Sequence, residues 1–292
     1  MKKFILFGLL SLFLTACASS DDSTTIDLYN PEIAPQNENQ ILNLSYGDDP
    51  QQKMDLYLPK GRKTDVTKVF ILIHGGGWYL GDKSEFNNEV QILKAGFPDY
   101  AIANVNYRLG TKESLGFPKQ INDIEKIVTF LNSRYADFHI AKEYAMVGIS
   151  AGAHLAMLYS YKYNTNNQVK AVCSIVGPAD FSDPEYAGNE LFVNGLNYVV
   201  GDEYPTYNDN PSIYNQISPV KQITSKSPKT IMFYGNTDPL VPRSQGQLLH
   251  QKLNSKRVYN EIHQYDAGHA DWTTEQYSDI NAKTISFFKT NF

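Results

Sequence analysis

Apolar positions along this chain fall into two alternating rhythms from residue 41 onward. Short runs rich in β-branched and aromatic residues recur, and between them lie stretches whose apolar residues sit three or four apart. Residues 41–46 and 53–58 alternate with period two around Gly47-Asp48-Asp49-Pro50, which predicts an antiparallel hairpin. Residues 69–73 and 100–105 are apolar almost without interruption, as strands covered on both faces are. Residues 144–147, 171–176, 230–234 and 258–265 add four more strands. Helical patterning is read over 83–96, from Pro118 onward, over 151–163, over 244–253 and over 275–288. In the helix opened by Pro118, Ile121, Ile124, Ile127, Val128 and Leu131 share one face. Strand and helix in alternation predict an α/β fold, with a mostly parallel sheet carrying helices on both faces.

One segment breaks the rhythm. Residues 181–217 lie between two core strands and are rich in Tyr, Asn, Asp and Pro. A stretch of that length inside a compact domain is usually functional or disordered. Its aromatics (Tyr186, Phe192, Tyr198, Tyr204, Tyr207 and Tyr214) with short apolar stretches between them point to an ordered insertion. We read it as a lid or substrate-binding cap over the strand ends, with a merely decorative insertion as the alternative, because aromatics pack more often than they bind.

The first forty residues have a different pattern. Met1-Lys2-Lys3 is a positive leader, and residues 4–14 are an apolar run too short to span a bilayer as a mature helix. The run ends in Leu14-Thr15-Ala16-Cys17, which resembles the bacterial lipobox, where the signal is cut before a cysteine that then carries a diacylglycerol. The expected organisation is a signal peptide over 1–16, lipidation at Cys17, a polar tether over 17–37 and a folded domain over 38–292. Acyl chains on Cys17 would hold the protein on a membrane without a spanning helix, in the cell envelope and facing the periplasm or the cell surface.

Composition narrows the partners. The chain has 292 residues and a formal net charge of −5, so nothing in it suggests nucleic acid. Nothing specifies an oligomer. Of the two cysteines, Cys17 is assigned to lipid and Cys173 lies in an apolar strand, where a structural thiol is the expected reading.

Candidate chemistry centres on Gly148-Ile149-Ser150-Ala151-Gly152, between an apolar strand and a helical run. In that context the turn is sharp and strained and lifts the serine hydroxyl off the strand end. The pentapeptide alone would occur by chance in roughly one chain in ten of this length, so its partners decide. A serine nucleophile needs a base, a group that orients the base, and donors for the oxyanion. His74-Gly75-Gly76-Gly77-Trp78 follows the strand ending at Ile73, and three glycines leave peptide N–H groups free to face a ligand oxygen. His74 itself is read as structural. Asp238 follows the 230–234 strand and His269 the 258–265 strand, which gives the chain order Ser, Asp, His. Asp266 and Asp271 are local alternatives for the orienting acid and rank below Asp238, being neighbours of His269 on one short loop.

With these elements in order, the sequence resembles an α/β-hydrolase esterase of the group that includes bacterial feruloyl and acetyl-xylan esterases and hormone-sensitive-lipase-like carboxylesterases. Residues 74–78 with Gly81-Asp82-Lys83, Asn106-Tyr107-Arg108-Leu109, Phe117-Pro118 with Asp123, residues 148–155, Ser218-Pro219 and Val241-Pro242 match that group's pattern in register. The resemblance covers roughly residues 40–292. It implies Ser150 as nucleophile, His269 as base, Asp238 as acid and an oxyanion hole of Gly76, Gly77 and Ala151, with no metal or cofactor. It also implies a small-molecule or polysaccharide ester as substrate, with acetyl or feruloyl groups on polysaccharide as the envelope-facing case. Two features depart from the pattern: Ala153 stands where many members have glycine, and the insertion matches no substrate-defining motif. A peptidase or amidase of the same fold, or an inactive surface-binding lipoprotein, stand as alternatives.

Overall fold

A computed structural model describes residues 34–186 and 189–292. The leader, Cys17 and most of the expected tether lie outside the described residues. Eight strands form one sheet: β1 (Asn39–Ser45), β2 (Lys53–Leu58), β3 (Val69–Ile73), β4 (Ala101–Val105), β5 (Tyr144–Ile149), β6 (Val169–Ile175), β7 (Lys229–Gly235) and β8 (Asn260–Tyr265). Their spatial order is β1-β2-β4-β3-β5-β6-β7-β8. β2 runs antiparallel to both β1 and β4, and every other neighbouring pair is parallel. The expected mostly parallel sheet with an antiparallel start is what the chain forms.

Side chains of a strand alternate between faces, and here both faces are covered. On β3, Val69, Ile71 and Ile73 enter one core while Phe70 and Leu72 enter the other. The first core is closed by α2 (Lys119–Ser133), α3 (Ala151–Leu158) and α7 (Ser244–Ser255), through residues such as Ile124, Leu155 and Leu249. The second is closed by α1 (Asn87–Gly96) and α8 (Thr274–Asn291), through Val90, Leu93, Ile280, Phe287 and Phe288. α3 is buried at all its positions, so it is apolar all round rather than amphipathic.

Two helices differ in detail from the sequence reading. The 83–96 segment begins as a tight turn over Lys83–Phe86, where Asp82 accepts from the Ser84 N–H and Glu85 reaches back to the Asp82 N–H; only then does α1 start. This is a capping box, and it fixes the direction in which the chain enters the helix. The segment after the serine is α-helical to Leu158 and widens to a π turn over Tyr159–Tyr163.

The stretch between β6 and β7 is helical. It carries a short turn at Pro184–Tyr186, then α4 (Glu190–Val200), α5 (Pro211–Ile217) and α6 (Pro219–Gln222). Asn189 and Asn210 cap α4 and α5 by accepting from the N–H groups of Phe192 and Ile213. α4 is tied to the body at its far end, where Gly116 and Phe117 donate to the carbonyls of Tyr198 and Val199 at 2.7 and 3.0 Å.

Candidate active site

The sharpest turn in the chain lies between β5 and α3. Ser150 has φ 52° and ψ −120°, a conformation that costs a residue with a Cβ about 1–3 kcal/mol. It is held by its own N–H donating to Ile175 of β6 at 2.8 Å and by its carbonyl accepting from His154 at 3.0 Å. The flanking glycines are required by contact. A Cβ on Gly152 would lie 2.0 Å from the Ile73 carbonyl oxygen, and one on Gly148 would lie 2.5 Å from the backbone of α3.

From this turn Ser150 Oγ stands 3.0 Å from His269 Nε2, and His269 Nδ1 stands 2.7 Å from Asp238 Oδ2. Asp238 follows β7 and its side chain is fully buried. Its other oxygen accepts from the N–H groups of Leu240 and Val241, both at 2.8 Å. A carboxylate only accepts, so His269 donates from Nδ1 and turns the Nε2 lone pair toward the serine. The acid and histidine loops meet because Gly235 has no side chain; a Cβ there would lie 2.3 Å from the Gly268 carbonyl oxygen. Thr237 then donates to Ala267 at 3.1 Å and stitches the two loops together. The two local competitors are engaged elsewhere: Asp266 accepts from Asn236, and Asp271 accepts from the Gly268 N–H.

The glycine loop lies across from the serine. Gly76, Gly77 and Trp78 have φ of 96°, 56° and 69°, three successive residues in the left-handed region. Among the described residues, the N–H groups of Gly76 and Gly77 donate to no protein acceptor. Ala151, the first residue of α3, has a helix N-terminal N–H, which no intrahelical carbonyl can satisfy. His74 holds the loop as expected. It is buried against Tyr107 at 4.4 Å, with Nδ1 2.9 Å from the Gly75 oxygen, and burial lowers its pKa. Tyr107 donates to the His74 and Gly75 carbonyls, both at 3.1 Å. Trp78 is braced from below: its carbonyl accepts from Gly110 at 2.8 Å and from Gln120 at 2.6 Å. The Gly110 loop is itself anchored by Arg108, whose guanidinium and N–H both bind the fully buried Asp123.

Ser150, His269 and the three glycines line one cleft of about 450 Å³. Its walls are mostly apolar, with Tyr79, Leu80, Ile149, Leu240 and Val241 from the body and Leu191, Phe192 and Gly195 from α4. The Tyr79 ring stacks on Tyr198 of the same helix at 4.2 Å, which fastens the glycine loop to the insertion. Leu80 and Leu191 are exposed large hydrophobics at the cleft. A concave, mostly apolar cleft with a few convergent polar groups is the usual form of a small-molecule site.

The family model described as BD-FAE matches residues 54–253. The chain belongs to the BD-FAE family of α/β-hydrolases. Among similar proteins, Esterase LipC of Mycobacterium tuberculosis is 24% identical over 222 residues, which cover 72% of this chain and 54% of that one. Kynurenine formamidase of Salmo salar is 30% identical over 145 residues, covering 48% and 46%. The chain spans about half the length of the curated relatives it matches. Of solved structures, the bifunctional GH43-CE protein of Bacteroides eggerthii superposes with a TM-score of 0.73 at 22% identity, over 86% of this chain and 38% of that one. A truncated carbohydrate esterase from gut microbiota superposes with a TM-score of 0.68 at 19% identity, over 86% and 98%. These likenesses establish the α/β-hydrolase fold.

Sequence reading missed two contributions to this BD-FAE site. His154, which the sequence reading did not single out, is buried and accepts from the Trp78 indole N–H. Its place one turn after the serine, on an all-apolar helix, was the available signal. The α4 residues Leu191 and Gly195 were unassigned, and Phe192 was named only as an aromatic of the insertion, because only the folded insertion brings them to the cleft at Ser150.

Proposed function

We propose that this protein is a serine carboxylic-ester hydrolase that works through an acyl-enzyme. The observation that carries the reading is the relay from Ser150 Oγ to His269 Nε2 at 3.0 Å and from His269 Nδ1 to Asp238 at 2.7 Å, opening on a cleft where backbone donors are unengaged. Ser150 attacks the ester carbonyl while His269 takes its proton. Asp238 holds the imidazole in the required tautomer and stabilises its cation. The N–H groups of Gly76, Gly77 and Ala151 receive the oxyanion, each donor contributing about 3 kcal/mol in the transition state. His269 then protonates the leaving alcohol and activates water for deacylation.

The substrate we propose is an acetyl or feruloyl ester of a polysaccharide, reached from an envelope anchor at Cys17. The lipobox pattern supports the address, and the family membership together with carbohydrate esterases among the structural relatives supports the substrate class.

Labelling with a fluorophosphonate probe, and turnover of p-nitrophenyl acetate, test the chemistry. Both are expected in the wild type and absent in Ser150→Ala; retention of turnover in that variant sinks the assignment. A panel of acetylated xylan, methyl ferulate, p-nitrophenyl esters of rising acyl length and a formamide separates polysaccharide esterase, general esterase and amidase. For the anchor, incorporation of labelled palmitate is expected in the wild type and lost in Cys17→Ser.

A further inference from the structure

Helix α4 has a cavity on each side. Leu191 and Gly195, four residues apart, face the ester cleft, whereas Val193 and Leu196 line a second pocket of about 190 Å³ inside the insertion. Phe192 lines both and is the wall they share. Its ring stacks on Tyr186 at 3.7 Å and 9°, and presents its other neighbours, Phe181 and Trp78, at 5.7 and 6.2 Å.

The second pocket has a buried aromatic floor and an exposed polar rim. Phe181, Tyr186, Phe192, Leu196 and Tyr214 are buried, while Pro205, Thr206 and Asn208 reach solvent. Its polar groups are mostly committed, the buried Tyr186 hydroxyl, which has no hydrogen-bond partner among the described residues, being the exception. Asp183 accepts from Ser244, Gln245 and the Glu185 N–H, and Thr206 donates to Asp209 through both its N–H and its hydroxyl. Water in the floor would therefore find few of the two to four partners it needs. The size matches another occupant: an apolar protein cavity of about 150 Å³ stays dry and takes benzene. Aromatic walls favour offset or edge-to-face contact with a ring over contact with an aliphatic chain.

We propose that this pocket is a second binding site, for a molecule carrying a single aromatic ring, back to back with the ester cleft across Phe192. The site is independent of the chemistry at Ser150, so its test stands whether or not the protein hydrolyses esters.

The probe is p-cresol, added to the full-length protein and followed by saturation-transfer NMR. The expected result is saturable binding with a dissociation constant on the order of 1 mM or below. Binding persists after Ser150 has been phosphorylated with paraoxon, which occupies the cleft next to the serine. It weakens at least about tenfold in Val193→Trp, whose indole would fill the pocket from a half-buried position. Leu196→Trp is the second filling variant should the first not fold, as judged by circular dichroism. Absence of saturable binding overturns the proposal, as does binding lost on phosphorylation or unchanged in the folded filling variant. A failure of paraoxon to label Ser150 speaks against the proposed function instead, and the comparison of wild type with Val193→Trp still decides this one.

Discussion

The indole N–H of Trp78 donates to Nδ1 of His154 across 3.0 Å, and that bond fixes the imidazole's tautomer. An indole N–H can only donate, so Nδ1 holds the lone pair and Nε2 carries the proton, which goes to the Ile217 carbonyl at 2.8 Å. One side chain therefore joins the glycine loop, the helix behind Ser150 and the end of α5. His154→Leu leaves a buried donor and a buried acceptor unpaired, and we expect a loss of roughly 2–5 kcal/mol in urea unfolding. His154→Gln offers an acceptor and a donor at similar spacing and should keep most of that stability. Equal losses in the two variants would show that volume, not the pair of bonds, is what matters.

The same residue predicts an acid limb in stability. Burial holds the His154 pKa down to about 4, against the smaller opposing effect of the Ile217 carbonyl. In the unfolded chain histidine takes up its proton near pH 6.5, whereas in the fold it resists until about pH 4. The unfolded state thus binds more protons across that window, and stability falls as the pH is lowered through it, by roughly 3 kcal/mol in total. Urea midpoints measured from neutral to acid pH in wild type and His154→Gln isolate this contribution. A difference between the two that does not change with pH would contradict it.

Asp238→Asn tests the orienting acid through its second hydrogen-bond set. Oδ1 accepts from Leu240 and Val241, so an asparagine keeps its carbonyl there and turns its amide toward His269. The imidazole must then accept at Nδ1, which puts its proton on Nε2, facing Ser150, and leaves no base. We expect kcat to fall by about 10³–10⁴ with the fold intact. Asp266→Asn, whose exposed carboxylate accepts from the half-buried Asn236, should change kcat by less than about threefold. A reversal of these two effects would reassign the acid.

The sheet was legible because its strands are buried on both faces or alternate cleanly, and such patterns do not depend on distant residues. Ser150 was marked by its Gly-x-Ser-x-Gly motif and Asp238 and His269 by position, each just past a strand whose end the apolar pattern marks. What was hidden depends on contacts between segments far apart in sequence. His154 and Trp78 are 76 positions apart, and nothing in either local pattern announces the bond between them. The α4 helix contains Gly195 and two asparagines, which lower its helical signal; it is held by an Asn189 cap and by carbonyls bonded to the Gly116 loop, and the latter is visible only in three dimensions.

Two glycines with opposite surroundings separate steric need from conformational need. At Gly152 an added Cβ would meet the carbonyl oxygens of Ile73 and His74 at 2.0 and 2.3 Å, both backbone atoms of β3 and the glycine loop. At Gly61, φ is +74° but nothing lies within 4 Å. Gly61→Ala should therefore cost about 1–2 kcal/mol of left-handed strain and leave esterase turnover unchanged. Gly152→Ala should lose more than about 3 kcal/mol and its turnover together, because neither carbonyl can move without displacing the strand. Thermal unfolding and p-nitrophenyl acetate assays read both. A Gly152→Ala protein with wild-type stability would mean that the turn at Ser150 is looser than its contacts imply.

Cys173 offers a check on the core that is independent of catalysis. It lies on β6 with no exposed surface, its sulfur 3.8 Å from Thr284 Oγ1 of α8, and burial pushes its thiol pKa up to about 12. The thiolate is the reactive species, so both access and ionisation oppose modification in the folded state. In a Cys17→Ser background, which leaves this as the sole thiol, Ellman's reagent at about pH 8 should react only as fast as the protein opens, and fully once urea unfolds it. Because Cys173 sits between β5 and β7 in the middle of the sheet, opening there requires parting β6 from α8. The native labelling rate should therefore approach the global unfolding limit, and stoichiometric labelling within minutes in the absence of urea would show that the face under α8 opens on its own.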